Sequence, residues 1–431
     1  MAGDIQSRNT VMEISTSFTE KTLISILKKA SGTENVQLVH YEVARGSTRA
    51  GDSYLSTLSR LRVDGMANNK PYSLALIVKS LPASSGCRKT FRSTEFFQNE
   101  AAFYNEVLPR FMAFQNQKKP KNPFQEIPRC LYALADGEND FIVLEDLSPA
   151  EYVTADRTKG LDFDHCVAVL QTLGRFHALS FAMKDQDPEG FETIANCVKE
   201  TYFYFENKGW YEGQLKNLCQ VAIDAVSKEY PNSIYEEKLK HFINDSLFEC
   251  LVEFSQPKEP YAVIGHGDTW IPNFLFHYDN HKGDSSTSPD RTRIIDFQLA
   301  RYGSPILDFS LFLFSCTTQE LRTSHFKQLL QVYHHSLSDF LQDLGSSPDV
   351  LFSYNAFEKE VSLYMLFGLC LSFDTVTFSV MDEEDTPNLD LIEGDEAIPL
   401  ENIMHVGPIK TKHGRLRLAD NVKFAIDSKY L

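Results

Sequence analysis

The chain has 431 residues, and 42 Lys and Arg set against 59 Asp and Glu give it a formal charge of −17. That length exceeds one ordinary domain of roughly 100–200 residues, so two lobes are expected, and with 42% hydrophobic and 12% aromatic residues a large core replaces wholesale disorder. The acidic balance excludes a surface dedicated to nucleic acid or anionic membrane, which must present excess Lys and Arg to phosphates.

The N-terminal stretch MAGDIQSRNTVMEISTSF is acidic and polar where a secretory leader needs a basic start and an apolar run, so none is expected. Residues 18–30 follow an amphipathic helical pattern, with Leu23, Ile24 and Leu27 on one face and a Lys pair at the end. Three strand-like runs come next, at 37–45, 54–65 and 72–81, joined by RGSTRAGDS and by a turn containing Asn68-Asn69. They read as an antiparallel meander. From Ser93 to Phe111 the residues Phe97, Ala101, Tyr104, Leu108 and Phe111 recur at helical spacing, interrupted by Pro109 near the end. Strands are expected again at 130–134 and 141–144, and the first lobe is read as 1–147.

The second lobe, 148–431, reads as mainly helical. Asp162 or Asp164 caps a helix running to about Met183, and further helical patterns fill 192–255. The runs at 274–278 and 293–297 read as a hairpin around a hydrophilic loop, and the apolar window Val361–Phe373 as a buried helix, since it falls short of the roughly 20 residues that span a bilayer. The acid-rich stretch 382–396 reads as a solvated loop, with a cationic partner as the alternative. Eight cysteines without a C-x-x-C pair fit reduced structural thiols and a cytoplasmic protein. The fold class expected is α+β and bilobal: an antiparallel sheet with a helix in the first lobe, helices in the second.

The segment that carries chemistry is YAVIGHGDTWIPNFLFHYD followed by RIIDFQLARYGSPILDF. His266-Gly267-Asp268 is followed five residues later by Asn273, and Asp296 stands at the end of the second strand. Phosphoryl transfer needs these residue types in this order: a carboxylate beside the acceptor hydroxyl, then an amide oxygen and a second carboxylate for Mg²⁺. Asp268 is the candidate catalytic base, and Asn273 and Asp296 are the candidate metal ligands. Upstream, Lys79 ends a strand whose same-face neighbours are Ala75 and Ile77, and the following helix holds Glu100. A lysine gripping nucleotide phosphates, oriented by a helix glutamate, completes the apparatus. Glu100 is preferred to Glu106 because it shares a helical face with Phe97 and Tyr104. Gly51, in the turn between the first two strands, lets backbone N–H groups approach phosphates.

These residues resemble those of the ecdysteroid kinase-like family of insects, relatives of the choline kinases and aminoglycoside phosphotransferases within the protein-kinase-like fold. The resemblance is carried by the G-D-S-Y turn at Gly51–Tyr54, VKSLP at 78–82, EAAFY at 100–104, VLP at 107–109, LEDL at 144–147, LGRFHA at 173–178, HGDTWIPN at 266–273 and IDFQ at 295–298. It implies ATP as co-substrate, Mg²⁺ as cofactor and an alcohol as acceptor, with steroid alcohols of the moulting-hormone type as the family's known substrates. In the loop it places Asp52 and Ser53 beside Gly51 at the phosphates, Asp52 standing where relatives often carry Asn. Glu145 and Leu147 would contribute the linker backbone that holds adenine. Gln298 replaces the glycine of protein-kinase D-F-G, and only eleven residues separate Asp296 from Asp308. That leaves no activation segment, so the expected partner is a small molecule rather than a protein, and the expected state is a monomer.

Each residue also has a plainer reading. Asp268 would cap loop N–H groups, Asn273 would close an Asx turn, Asp296 would cap a strand end and Lys79 would snorkel. His266 reads as a loop brace rather than a zinc ligand, His177 as a satisfied core histidine and Asp308 as a loop-bracing carboxylate. The run YFYFENKGW at 202–210 is either core or one wall of an acceptor pocket. Two rival functions stand beside the lipophilic-alcohol kinase: a choline- or aminoglycoside-type kinase, and a catalytically dead ligand-binding relative.

Overall fold

Helix α1 (Glu20–Ser31) lays Leu23, Ile26 and Leu27 on one face of a sheet begun by β1 (Val36–Arg45), β2 (Thr57–Ala67) and β3 (Lys70–Ser80). This computed structural model describes residues 10–45, 56–243, 246–279 and 288–431, apart from 388, 390, 391 and 393. The β2–β3 hairpin turns on Asn68 and Asn69 at φ 49° and 61°, the consecutive left-handed pair that two-residue hairpins favour and asparagine tolerates. Because strand side chains alternate, Leu76 and Val78 of β3 join the α1 face, and Lys79 points to the other side.

The chain continues through α2 (Ser85–Phe91), α3 (Ser93–Ala102), a π turn (Phe103–Val107), α4 (Leu108–Lys118), β4 (Cys130–Leu134) and β5 (Phe141–Glu145). The five-stranded sheet has the order β1-β2-β3-β5-β4, and every pairing is antiparallel. The single helix expected from Ser93 to Phe111 is thus broken by a π turn and extended to Lys118. Pro109 falls in the first turn of α4, directly after the π turn. With seven residues, α2 is too short to show a periodicity in the sequence, although Ser84 caps it by accepting from Cys87 N–H.

After β5 come β6 (Val153–Thr154), α5 (Phe163–Gln186), α6 (Pro188–Ala195), α7 (Lys208–Glu229), α8 (Ile234–Phe242), α9 (Leu247–Ser255), β7 (Val263–Gly265), β8 (Phe274–His277), β9 (Arg291–Ile294) and β10 (Arg301–Gly303). The helices α10 (Ile306–Cys316), α11 (Gln319–Asp343), α12 (Pro348–Leu351), α13 (Tyr354–Val380), α14 (Leu400–Ile403) and α15 (Lys412–Asp427) complete the chain. Asp162 caps α5 through His165 N–H. β8 and β9 form the expected hairpin, joined by β6, but β9 ends at Ile294 rather than at Phe297. Asp296, at φ 69°, has left extended geometry, which removes it from the sheet.

The inner face of the sheet, with α3 and α4, shares one continuous apolar core with α5, α10, α11 and α13, while the α1 face has a smaller core of its own. Helices α5 and α13 are long and apolar enough to cross a membrane by length and composition, yet most of each is buried in this core. α10 and α13 touch at Gly368, where an added Cβ would stand 2.1 Å from the Ser310 carbonyl carbon. Gly368→Ala is therefore expected to force the two helices apart, lowering stability by about 3 kcal/mol. Thermal denaturation checks this, and an unchanged melting temperature would contradict so close a helix crossing.

Candidate active site

Lys79 occupies the central strand β3, between Leu58 of β2 and Ile142 of β5, and its side chain is only 8% exposed. Its ammonium donates to Glu100 Oε2 at 2.7 Å, to Asp296 Oδ1 at 2.8 Å and to Gln298 Oε1 at 3.2 Å. Burial alone would lower the Lys79 pKa, but the two carboxylates outweigh it and hold the ammonium charged. Glu106, the alternative partner in the sequence, is exposed and faces Arg110 instead. The Glu100 helix is fixed by Asn99, whose amide donates to the carbonyls of Gln298 and Ala300 at 3.0 and 2.8 Å. Phe103, in the π turn, stacks on Phe297 with ring centroids 3.8 Å apart. These two contacts bring the segment 296–300 against the first lobe. Neither Asn99 nor Phe103 shows its role in the sequence, where both pass for ordinary helix residues.

The loop carrying Asp268 rests on a buried carboxylate. Asp308 Oδ2 accepts from His266 N–H at 2.6 Å, and its Oδ1 accepts from Gly267 N–H at 2.8 Å. Its carbonyl accepts from the Thr269 hydroxyl at 2.7 Å. Behind it, His177 bonds Asp308 Oδ2 at 3.0 Å and the Tyr333 hydroxyl at 2.7 Å. Burial pushes the Asp308 carboxyl up, but the hydrogen bond and charge of His177 prevail and hold it below the ordinary range. Gly267 sits at φ 84°, and a Cβ there would lie 1.8 Å from the Leu299 carbonyl oxygen, so only glycine fits. His266 Nδ1 accepts from Asp268 N–H at 3.2 Å, which leaves Nε2 to donate to the Ile295 carbonyl at 2.8 Å. Burial lowers its pKa, so the ring is neutral and braces the Asp268 loop to the segment before Asp296.

Asn273 closes the constellation. Its amide donates to the Asp268 carbonyl and to Asp268 Oδ2, both at 2.9 Å, which leaves its own oxygen as the atom able to take a cation. Asp268, Asn273, Asp296 and Gln298 line one cleft of about 170 Å³, partly open to solvent. Burial, with help from Asp296, pushes the Asp268 carboxyl up to about 7, against the lowering effect of Asn273. A carboxylate so placed takes a proton more readily near neutrality than an exposed one. Among the described residues no cluster of three or more His, Cys, Asp or Glu has metal-site geometry.

Gly51, Asp52 and Ser53 lie outside the described residues. Glu145 and Leu147 stand at the end of β5 but not in the lining of the cleft, and the Leu147 carbonyl accepts from Ala150 and Tyr152 N–H groups. The aromatic run divides between both of its readings: Tyr202 and Trp210 line the cleft, while Phe203 is in the core. Gln214 of α7 and Asp374 of α13 are among the lining residues that escaped sequence reasoning. Asp374 had one signal, as the one acid of the apolar stretch 361–380; Gln214 had none. Burial pushes the Asp374 carboxyl up to about 6.

The stretch 382–396 is solvated in that its described acids Asp382, Glu384, Asp385, Asp395 and Glu396 are exposed, but it is no free loop. Gly86 N–H donates to the Gly394 carbonyl at 3.2 Å, and the Lys89 ammonium to the Asp395 carbonyl at 2.7 Å. Ile398 N–H donates to the Thr90 hydroxyl at 3.0 Å. The strap so pinned to α2 delivers Leu400 and Met404 to the cleft wall.

A strand lysine paired with a helix glutamate, facing an Asp-Asn loop and a second aspartate across a cleft, defines an α+β protein of protein-kinase-like architecture. The chain belongs to the ecdysteroid kinase-like family, whose model matches residues 50–346. No curated protein matches it in sequence. Among solved structures it is similar to an ethanolamine kinase of Plasmodium vivax, at 10% identity and TM-score 0.40, covering 100% of this chain and 99% of that one. It is also similar to a choline kinase of Cryptosporidium parvum, at 13% identity and TM-score 0.40, covering 96% and 98%. A GDP complex of aminoglycoside 2′-phosphotransferase-IIIa matches at 14% identity and TM-score 0.37, covering 94% and 98%.

The pedestal under the Asp268 loop has a direct test. Asp308→Asn puts an amide N–H₂ against backbone N–H donors, so it is expected to cost on the order of 3 kcal/mol and lower the melting temperature by several degrees. A variant as stable as the wild type would mean that the loop is held by other contacts.

Proposed function

We propose that the protein is an ATP-dependent small-molecule kinase that phosphorylates a hydroxyl of an ecdysteroid or similar lipophilic alcohol. The observation that supports this best is that Lys79, held by Glu100, bonds Asp296, which lines one cleft together with Asp268 and Asn273. In the reaction the acceptor oxygen bonds the γ-phosphorus of ATP, the bond from that phosphorus to the β,γ-bridging oxygen breaks, and ADP leaves with the electron pair. Asp268 receives the acceptor's proton late, as the new bond makes the hydroxyl acidic. Lys79 offsets charge on the polyphosphate while Glu100 keeps the ammonium in place. The donor set fits a hard cation: Asp296 and Asn273 would offer it oxygen atoms, and when bound the Mg²⁺ ion neutralises phosphate charge. The loop at Gly51, Asp52 and Ser53 and the linker at Glu145 and Leu147 belong to the same reading, as phosphate and adenine contacts. Five competent positions, Lys79, Glu100, Asp268, Asn273 and Asp296, weigh against a catalytically dead relative.

A second reading has one observation in its favour. Asp374 sets a carboxylate among the aromatic side chains of the cleft, where an amine alcohol such as choline would find both a counter-charge and π faces. The two-lobe division at about residue 147, a cytoplasmic location and a monomeric state are further parts of the proposal. The eight cysteines, none in a disulfide, support the location.

Asp268→Asn should keep nucleotide binding and lose on the order of 10²-fold or more in turnover, read by mass spectrometry of alcohols incubated with ATP. Turnover within a few-fold of wild type would remove Asp268 from the reaction. Lys79→Met and Asp296→Ala should each diminish the thermal stabilisation conferred by ATP and Mg²⁺. If both variants respond as the wild type does, the polyphosphate is held elsewhere.

A further inference from the structure

The cleft that Asp268 and Asn273 line is also walled by Phe91, Phe96, Tyr202, Trp210, Phe378 and Met404. Two helices furnish it in the same way. Helix α7 presents Trp210 and, one turn on, Gln214; helix α13 presents Asp374 and, one turn on, Phe378. Trp210 is fixed, its indole N–H donating to the Thr90 carbonyl at 2.8 Å. Gln214 is not. It is 2% exposed, and neither its amide oxygen nor its amide nitrogen has a hydrogen-bond partner among the described residues. Among the described residues Asp374 accepts one hydrogen bond, from the Tyr211 hydroxyl at 3.3 Å.

Native proteins pair nearly all their buried polar atoms, so a side-chain amide unpaired at both ends, in the wall of a cleft, points to a ligand that pairs it. The chemistry of the amide selects the group. A hydroxyl can donate to the amide oxygen and accept from the amide nitrogen, whereas an ammonium offers only donors and a quaternary ammonium neither. Resting on the small-molecule kinase reading, we propose that Gln214, with Asp374, determines acceptor specificity by binding a hydroxyl other than the one phosphorylated. The acceptor favoured is then a neutral, largely apolar molecule that carries at least two hydroxyl groups. The aromatic walls cover its frame, Gln214 pairs the second hydroxyl at both ends, and Asp374 accepts from a further donor.

The chain has two tryptophans, Trp210 and Trp270, and both line the cleft, so intrinsic fluorescence reports occupancy without turnover. The full-length wild type, Gln214→Leu, Gln214→Met and Asp374→Asn are titrated with ecdysone, which has several hydroxyls, with androstanol, which has one, and with choline. KM and kcat for phosphorylation are measured alongside. Wild type should bind ecdysone at least tenfold more tightly than androstanol, and both Gln214 variants should lose that preference while binding androstanol no worse. Where turnover occurs, the loss should fall on KM more than on kcat. Wild-type selectivity in both Gln214 variants, or no response to ecdysone in the wild type, would overturn the assignment. So would a response to choline alone that Asp374→Asn abolishes. Ecdysone binding that depends on Gln214 without any phosphorylation would sustain this subsite while refuting the kinase reading. Phosphorylation indifferent to Gln214 would do the reverse.

Discussion

A lysine ammonium taken out of water must be met by carboxylates, and Lys79 is met from both sides of the cleft. Glu100 comes from the lysine's own lobe and Asp296 from the other, at 2.7 and 2.8 Å, with Gln298 as a third acceptor. Removing Lys79 would leave two carboxylates without their counter-charge in a poorly hydrated site. The position of the lysine on the central strand and the π turn behind the Glu100 helix therefore serve one pairing. So does the left-handed backbone of Asp296, which swings its side chain out of the β9 line toward the first lobe.

The opposite wall is built on the same principle with the sign reversed. Asp308 is a buried carboxylate satisfied by two backbone N–H groups and His177, and the loop that supplies those N–H groups carries Asp268. Gly267 allows the close approach to Leu299 that the loop requires. Glu100 and Asp296 hold one ammonium, while Asp268 and Asp374 line the cleft together with Asp296. The aromatic side chains of the same lining, Tyr202 and Trp210 among them, favour an apolar frame.

Much of this was legible in the sequence where one residue type at a fixed spacing has one use. The pair Asp268 and Asn273, with Asp296 at a strand end, could be placed because each position had a defined role, and the structure brings all three to one cleft. Glu100 could be chosen over Glu106 because helical phase decides which glutamate faces inward. What stayed hidden depends on contacts between distant segments. No local pattern shows that α2 joins the strap at residues 394–398, or that Gln214 and Asp374, 160 positions apart in the chain, meet in one chamber. The π turn has no signature of its own in the sequence, where the apolar spacing from Phe97 to Phe111 reads as one helix. The phosphate loop at Gly51 lies outside the described residues, so its part rests on the sequence alone.

The decisive measurement is calorimetric titration of the full-length protein with ATP, once with Mg²⁺ and once with a chelator. With two carboxylates, Glu100 and Asp296, on the one Lys79 ammonium, the site should repel free polyphosphate and accept it with the metal. Binding at least tenfold tighter with Mg²⁺, an advantage lost in Asp296→Ala, is the expected result. Equal affinity with and without the metal would contradict the proposed role of Asp296 as a ligand of the nucleotide's Mg²⁺.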